Sequence, residues 1–185
     1  TQDRRDDTTA NLFSAMVMHN QIKPETLISA NEYSSYVWED DDYDYTAYRP
    51  RDNVYWDPTF TADLDRDSNV SFAHVPLFGE RFDRHWKPRL TARFPLVGNR
   101  GPKDGVHDPN SWTYGRNQTW GGHLAFADGH VAFFATFTPN EVVYERDGAR
   151  HPDNVFSMED GAEGGDAILA FTKTLGPEGP ELQWD

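Results

Sequence analysis

The sequence predicts an α+β domain in which one N-terminal helix lies on small antiparallel sheets joined by long loops. Three observations predict it. Leu12, Phe13, Met16 and Val17 recur at helical spacing behind the capping residues Thr8 and Thr9. Gly121 to Phe134 is an alternating stretch with Asp128-Gly129 at its centre, the pattern of a β-hairpin. The 185 residues include 14 Gly and 12 Pro, which favours many turns, and are 37% hydrophobic but 14% aromatic, which favours a modest core roofed by rings. That length suits a single domain spanning 1–185.

In chain order, residues 1–7 are polar and read as a frayed start. The helix follows over Ala10–His19, with Asn20 placed to end it in the left-handed conformation. Pro24 suits the first turn of a second short helix over Glu25–Ile28. Tyr33 to Tyr48 carries Trp38, Asp40, Asp41, Asp42, Tyr43 and Tyr45 without helical or strand periodicity; with Trp56 these are candidate interaction residues on a surface loop. Val70 to Val75 alternates as a strand and Pro76 ends it. Phe78 to Lys87 reads as a charged connection, Leu90 to Val97 as a strand, and Gly98 to Gly115 as a long loop feeding the hairpin. Short strands are expected over Glu141–Glu145 and Ala167–Leu175, with turns at Asp147-Gly148 and Asp160-Gly161, and an extended tail over 176–185 held by Trp184.

With a two-residue turn at Asp128-Gly129, Ala127 would face His130, Phe126 would face Val131 and Leu124 would face Phe133. Leu124, Phe126, Val131 and Phe133 would then share the buried face. The small residues of the other face, which carries His123 and His130, leave room for something to lie across it. In that register the two histidines stand roughly 13 Å apart along the strand, too far to share one ion.

A net charge of −14 argues against nucleic-acid binding, which rests on neutralising phosphates. The absence of cysteine excludes disulfides and thiolate metal sites. Asp63, Asp65, Asp67 and Asn69 put oxygens at relative positions 1, 3, 5 and 7, like the opening of a calcium loop. Ser68 stands where that loop needs Gly, and His74 where it needs the bidentate Glu. No nucleophile elbow, phosphate loop, dinucleotide fingerprint or zinc-protease motif occurs, so the expectation is a protein that is not an enzyme.

Asn117 to Val131 resembles the C-terminal signature of a bacterial family of prepilin-like, or pseudopilin-type, proteins: a His, nine residues, then Asp-Gly. Phe126-Ala127-Asp128-Gly129-His130-Val131 carries the likeness, while Gln118 occupies the signature His position. Thr9–Phe13, Ile22–Ile28, Asn69–Ala73, Phe94–Arg100, Asp153–Phe156 and Asp166–Leu169 resemble further family segments in the same order, with Ser29-Ala30 where the family often has Cys-Pro. The resemblance implies a pilin-like globular head, export from the cytoplasm, and a structural or assembly role with self-association or assembly partners. It also implies membrane contact only through the family's hydrophobic N-terminal stem, which this sequence does not include. The competing expectations are a secreted module binding calcium, a glycan or a protein, and an accessory subunit of a larger extracytoplasmic complex.

Overall fold

The computed structural model describes residues 3–87, 92–109, 111 and 120–185. Leu90, where a strand was expected to begin, and Asn117-Gln118-Thr119 of the signature lie outside the described residues. The chain is mixed α/β, with two α-helices and several small antiparallel sheets among the described residues.

Helix α1 (Thr9–Met18) starts where the sequence places it, with extended Thr8 as its cap, its hydroxyl accepting from the Asn11 N–H at 3.2 Å. It ends ahead of Asn20, whose φ of 55° is left-handed. Phe13 and Val17 are buried. Before α1, Arg4–Asp6 form one 3-10 turn, and after it Pro24–Leu27 form another. Strands β1 (Ala62–Asp63) and β2 (Asp67–Ser68) make a minimal hairpin. The main sheet follows from β3 (Phe72–His74), β4 (Pro95–Asn99), β5 (Gly122–Phe126) and β6 (Val131–Phe134), antiparallel in that order, so β6 is an outer strand.

The link between β3 and β4 contains α2 (Gly79–His85), where the sequence suggested only a charged connection. No apolar stripe announces this helix; a single arginine fixes it. The Arg81 side chain is 2% exposed and that of Asp166 is 0% exposed. Arg81 Nε donates to the Asp166 carbonyl at 2.9 Å, Nη1 to the Ala162 carbonyl at 2.8 Å and Nη2 to the Gly161 carbonyl at 2.9 Å, while Nη2 also pairs with Asp166 Oδ1. Asp166 Oδ2 accepts from the Glu159 N–H at 2.7 Å. The guanidinium thereby supplies donors to a loop that has no ladder of its own.

Beyond the sheet, β7 (Val143–Arg146) and β8 (Ala149–Pro152) pair through a two-residue turn whose Asp147 and Gly148 have φ of 53° and 76°. Strand β9 (Phe171–Gly176) folds back on β10 (Gly179–Gln183). The expected tail over 176–185 is therefore largely a strand: Pro177-Glu178 makes the turn, and two prolines in five residues had hidden the pairing. Paired hydrogen bonds of 3.2 Å between His74 and Ala170 join the main sheet to the start of β9.

His74 sits at that junction, fully buried, with Phe13 and Trp86 edge-on to its ring. Nδ1 faces the Val75 carbonyl and Nε2 faces Thr9 Oγ1, each at 2.8 Å, while Thr9 Oγ1 accepts from the Thr172 N–H at 2.7 Å. The only consistent tautomer has Nδ1–H donating to Val75 and the Thr9 hydroxyl donating to Nε2. One neutral imidazole thus ties α1, β3 and β9. Burial pushes its pKa down to about 4. Asp153 is the opposite case. It is buried, its Oδ2 accepts from the Ala167 N–H at 2.7 Å, and its Oδ1 has no partner among the described residues. Burial pushes this carboxyl up to about 8.

Two stability predictions follow from these groups. Arg81→Ala should lower the unfolding free energy by roughly 3–5 kcal/mol in urea titrations, because Asp166 keeps its buried charge without its partner. The pH dependence has two opposed parts. His74 is depressed from 6.5, so its contribution is complete above pH 6.5 and falls away as pH drops towards about 4. Asp153 is raised from 3.8, so its contribution is complete at acid pH and falls away as pH rises towards about 8. The two slopes offset each other below pH 6.5, leaving Asp153 alone between pH 6.5 and 8, where stability should fall by roughly 1.5 kcal/mol. Asp153→Asn, which keeps an oxygen for Ala167, should flatten that interval; an unchanged slope would rule Asp153 out as its cause.

Candidate functional site

The sheet end around the signature hairpin is where function is most legible, and its geometry follows from the turn. The Gly129 N–H donates to the Phe126 carbonyl and the Phe126 N–H to the His130 carbonyl, both at 2.9 Å. Phe126 and His130 therefore flank a three-residue loop, Ala127-Asp128-Gly129, in which only Gly129 has positive φ, at 90°. This is a type I turn closed by a left-handed glycine, not the expected two-residue turn. Asp128 selects it: its Oδ1 accepts from the His130 N–H at 3.1 Å and from His130 Nδ1 at 2.5 Å. Those bonds hold the Asp128 carboxyl below the usual carboxylate range. The His130 ring also stacks on Phe126, centroids 4.3 Å apart.

The extra loop residue shifts the register by one, and a one-residue shift turns a strand over. The observed pairs are Ala125 with Val131, Leu124 with Ala132, His123 with Phe133 and Gly122 with Phe134. Leu124 and Phe126 are buried as expected, but Val131 and Phe133 are not: they are 61% and 60% exposed, on the face that carries His123 and Ala125. Hydrogen-bonded and non-bonded pairs alternate in an antiparallel ladder, so with Phe126–His130 bonded, the backbone groups of Val131 and Phe133 point away from β5. Among the described residues no strand pairs with that outer edge.

The same face forms a groove of 640 Å³. Its floor is one row across the whole sheet: Phe72 pairs with Asn99, Asn99 Oδ1 accepts from the His123 N–H at 2.7 Å, and His123 pairs with Phe133. Its wall is the segment from Ile28 to Tyr33. Glu32 pins that wall. Its Oε1 accepts from the Tyr33 and Ser34 N–H groups and from Arg100 Nη2; its Oε2 accepts from Ser71 Oγ and Arg100 Nη1, all within 3.0 Å. Arg100 Nε turns the other way, to Asp185 Oδ1 at 2.9 Å. At the back of the groove, a Cβ on Gly122 would lie 2.6 Å from Trp120 Cζ2 and 2.9 Å from Asn99 Cβ.

The other candidate residues fall elsewhere. Asp40, Asp41 and Asp42 line a 340 Å³ dip with Glu25, Tyr43 and Tyr45. Burial, then a hydrogen bond with Asp42 and the charge of Asp57, pushes the Asp40 carboxyl up to about 6. Tyr43 belongs to the core: its hydroxyl donates to the Ser14 carbonyl at 2.7 Å, anchoring the loop to α1. Trp38 and Tyr45 are about half exposed, and Trp56 is partly buried against Tyr55. In the candidate calcium segment, Gln183 Nε2 donates to Asp63 Oδ1 at 3.0 Å and Asp65 Oδ2 at 2.7 Å, and Lys173 pairs with Asp63. Asn69 Oδ1 accepts from the Thr61 N–H at 2.9 Å, and Asp67 Oδ1 is buried without a partner. Among the described residues no three His, Asp or Glu side chains gather as a metal site. Nor is any helix there long and apolar enough to cross a membrane.

No family model matches the chain, and neither does any curated protein or solved structure. Its function must therefore follow from the residues themselves.

The two glycines of the hairpin should respond differently to alanine. At Gly129 nothing lies within 4 Å of an added Cβ, so Gly129→Ala should cost only the left-handed backbone, about 1–2 kcal/mol. At Gly122 the added methyl group meets Trp120 and Asn99, so Gly122→Ala should cost about 1–3 kcal/mol and also perturb tryptophan fluorescence, which Gly129→Ala should leave unchanged.

Proposed function

We propose that the chain is a non-catalytic, exported subunit of pilin-like type that assembles with further copies of itself through the outer edge of β6. The observation that carries this reading is the coincidence at Val131 and Phe133. Both side chains are more than half exposed, and the backbone N–H and C=O groups of the same two residues face outward from the sheet. An unpaired edge with exposed apolar side chains is a template for another strand, and natural proteins usually blunt such edges with charge, proline or a covering loop. Val131 to Phe134 contains neither a charge nor a proline. Strand addition supplies hydrogen bonds from the backbone, while the exposed side chains contribute apolar burial. A helix tied to β3 and β9 through Thr9 and Phe13, with small antiparallel sheets and long acidic and aromatic loops, is consistent with a pilin-like head. No catalytic motif opposes a structural role.

The net charge of −14 sets the condition for assembly. Like-charged copies repel at low ionic strength, and at about 0.5 M salt the Debye length shrinks to a few ångströms, leaving the strand contact unopposed. Light scattering should therefore show association that grows with salt and protein concentration. Val131→Lys, which places a charge on the edge without touching the β5 ladder, should abolish association while shifting unfolding by less than about 1 kcal/mol. A particle that remains monomeric at every salt and protein concentration would overturn the proposal.

A further inference from the structure

We infer that the groove across the main sheet is a binding site for a short neutral oligosaccharide. Four features of the groove lead to this ligand class. The first is charge. In a chain of net charge −14, the acidic and basic side chains of the groove lining other than His123 are Glu32 and Arg100, and these pair with each other through two contacts of 2.6 and 2.7 Å. Their side chains are 9% and 3% exposed, so the wall presents little free charge to a ligand. Such a lining gives an anionic or cationic ligand no counter-charge, whereas a neutral polar ligand enters without stranding an ion.

The second feature is the placement of rings. Tyr33, 74% exposed, stands on the wall, Phe133, 60% exposed, stands at the β6 end of the floor, and half-buried Phe72 stands at its β3 end. Aromatic faces pack against the C–H faces of a pyranose, which are flat and apolar while the rim of the same ring is polar. The third is the neutral hydrogen-bonding equipment between the rings. The imidazole of His123 makes no hydrogen bond among the described residues and lies edge-on to the Phe133 ring, at 5.2 Å between centroids. The amide of exposed Asn31 and the hydroxyl of Ser29 line the same space. Apolar walls with a few convergent polar groups are the general form of a small-ligand site, and 640 Å³ falls within the usual range.

The fourth is shape. The floor row runs perpendicular to the strands, from β3 to β6, and three inter-strand spacings make it about 14 Å long. A linear ligand of several linked rings matches that length. A strand added at the β6 edge would run along β6 and so crosswise to the groove. The two sites meet at Phe133, but the groove extends from it to Tyr33 while the edge extends along β6 to Val131, so substitutions at Tyr33 and Val131 tell them apart.

The test is calorimetry of the intact protein with three neutral trisaccharides, maltotriose, cellotriose and chitotriose, and with an uncharged extended hexapeptide as the competing ligand. At least one trisaccharide should bind with a millimolar or tighter Kd. Tyr33→Ala and His123→Ala should each weaken it at least tenfold, and Trp38→Ala, outside the groove, should leave it unchanged. Circular dichroism of the two weakened variants should match the parent. Absence of heat with all three sugars at millimolar concentration, binding indifferent to both groove substitutions, or binding of the peptide alone would overturn the inference. Tyr33→Ala alters neither Val131 nor Phe133, so the salt-dependent association of that variant reports on the β6 edge independently of the groove.

Discussion

The left-handed backbone at Gly129 decides what the main sheet shows to solvent. It closes a three-residue loop, the loop sets the pairing of β5 with β6, and the pairing sends Val131 and Phe133 outward. A two-residue turn over the same residues would bury those side chains and point Ala132 and Phe134 to the surface instead. The hydrogen bonds from His130 to Asp128 hold the longer loop in place. The groove also depends on this register, because it is His123, not Leu124, that stands beside Phe133 on the open face. Both proposed functions therefore rest on one turn.

Behind that face a core of aliphatic and aromatic side chains, Val17, Val75, Leu124, Phe156 and Leu169 among them, is threaded by buried polar contacts. Arg81 with Asp166, Arg100 with Glu32 and Asp185, and His74 with Thr9 each join segments far apart in sequence. Ion pairs of this kind are weak evidence of net stabilisation, since desolvation offsets much of the attraction. Their value here is specificity. A loop such as 159–166 has few partners of its own, and Arg81 meets three of its carbonyls in one arrangement only. Glu32 acts in the same way on the groove wall, gathering two backbone N–H groups, a serine and an arginine. The wall is consequently preformed, and a ligand need not bear the entropy of ordering it.

The sequence made local structure legible and long-range pairing largely illegible. Helix α1 could be read to within a residue because Thr8, Phe13, Val17 and Asn20 are all local signals. The Asp147-Gly148 turn could be read for the same reason: both residues adopt the positive φ that the dipeptide favours. Asp128-Gly129 carries the same dipeptide and took another turn, because a neighbouring histidine offers the Asp a hydrogen bond that Ala149, in the same position after Asp147-Gly148, does not. Helix α2 was hidden since its stability comes from contacts 80 to 85 residues away. Strand β10 was hidden by Pro180 within it and Pro177 in the turn before it. Of the interaction residues read from composition, Tyr43 is buried, while the groove residues Tyr33, Asn31 and Phe72 were not singled out, because only the fold brings the 28–33 segment and β3 to one groove with His123.

The edge and the groove make different demands on the acidic surface, and this separates their biology. Strand addition between like copies works against a charge of −14 on each, so it is conditional on screening. A neutral ligand in a groove whose charges are internally paired is indifferent to that field. Under the two proposals, ionic strength would act directly on assembly and reach ligand capture only through that assembly. If copies associate through β6 as proposed, Phe133 stands where the proposed groove meets the contact. That shared residue is the one point through which occupancy of the groove could bias the pairing of the edge, by supporting or displacing the ring against which a neighbouring strand must pack.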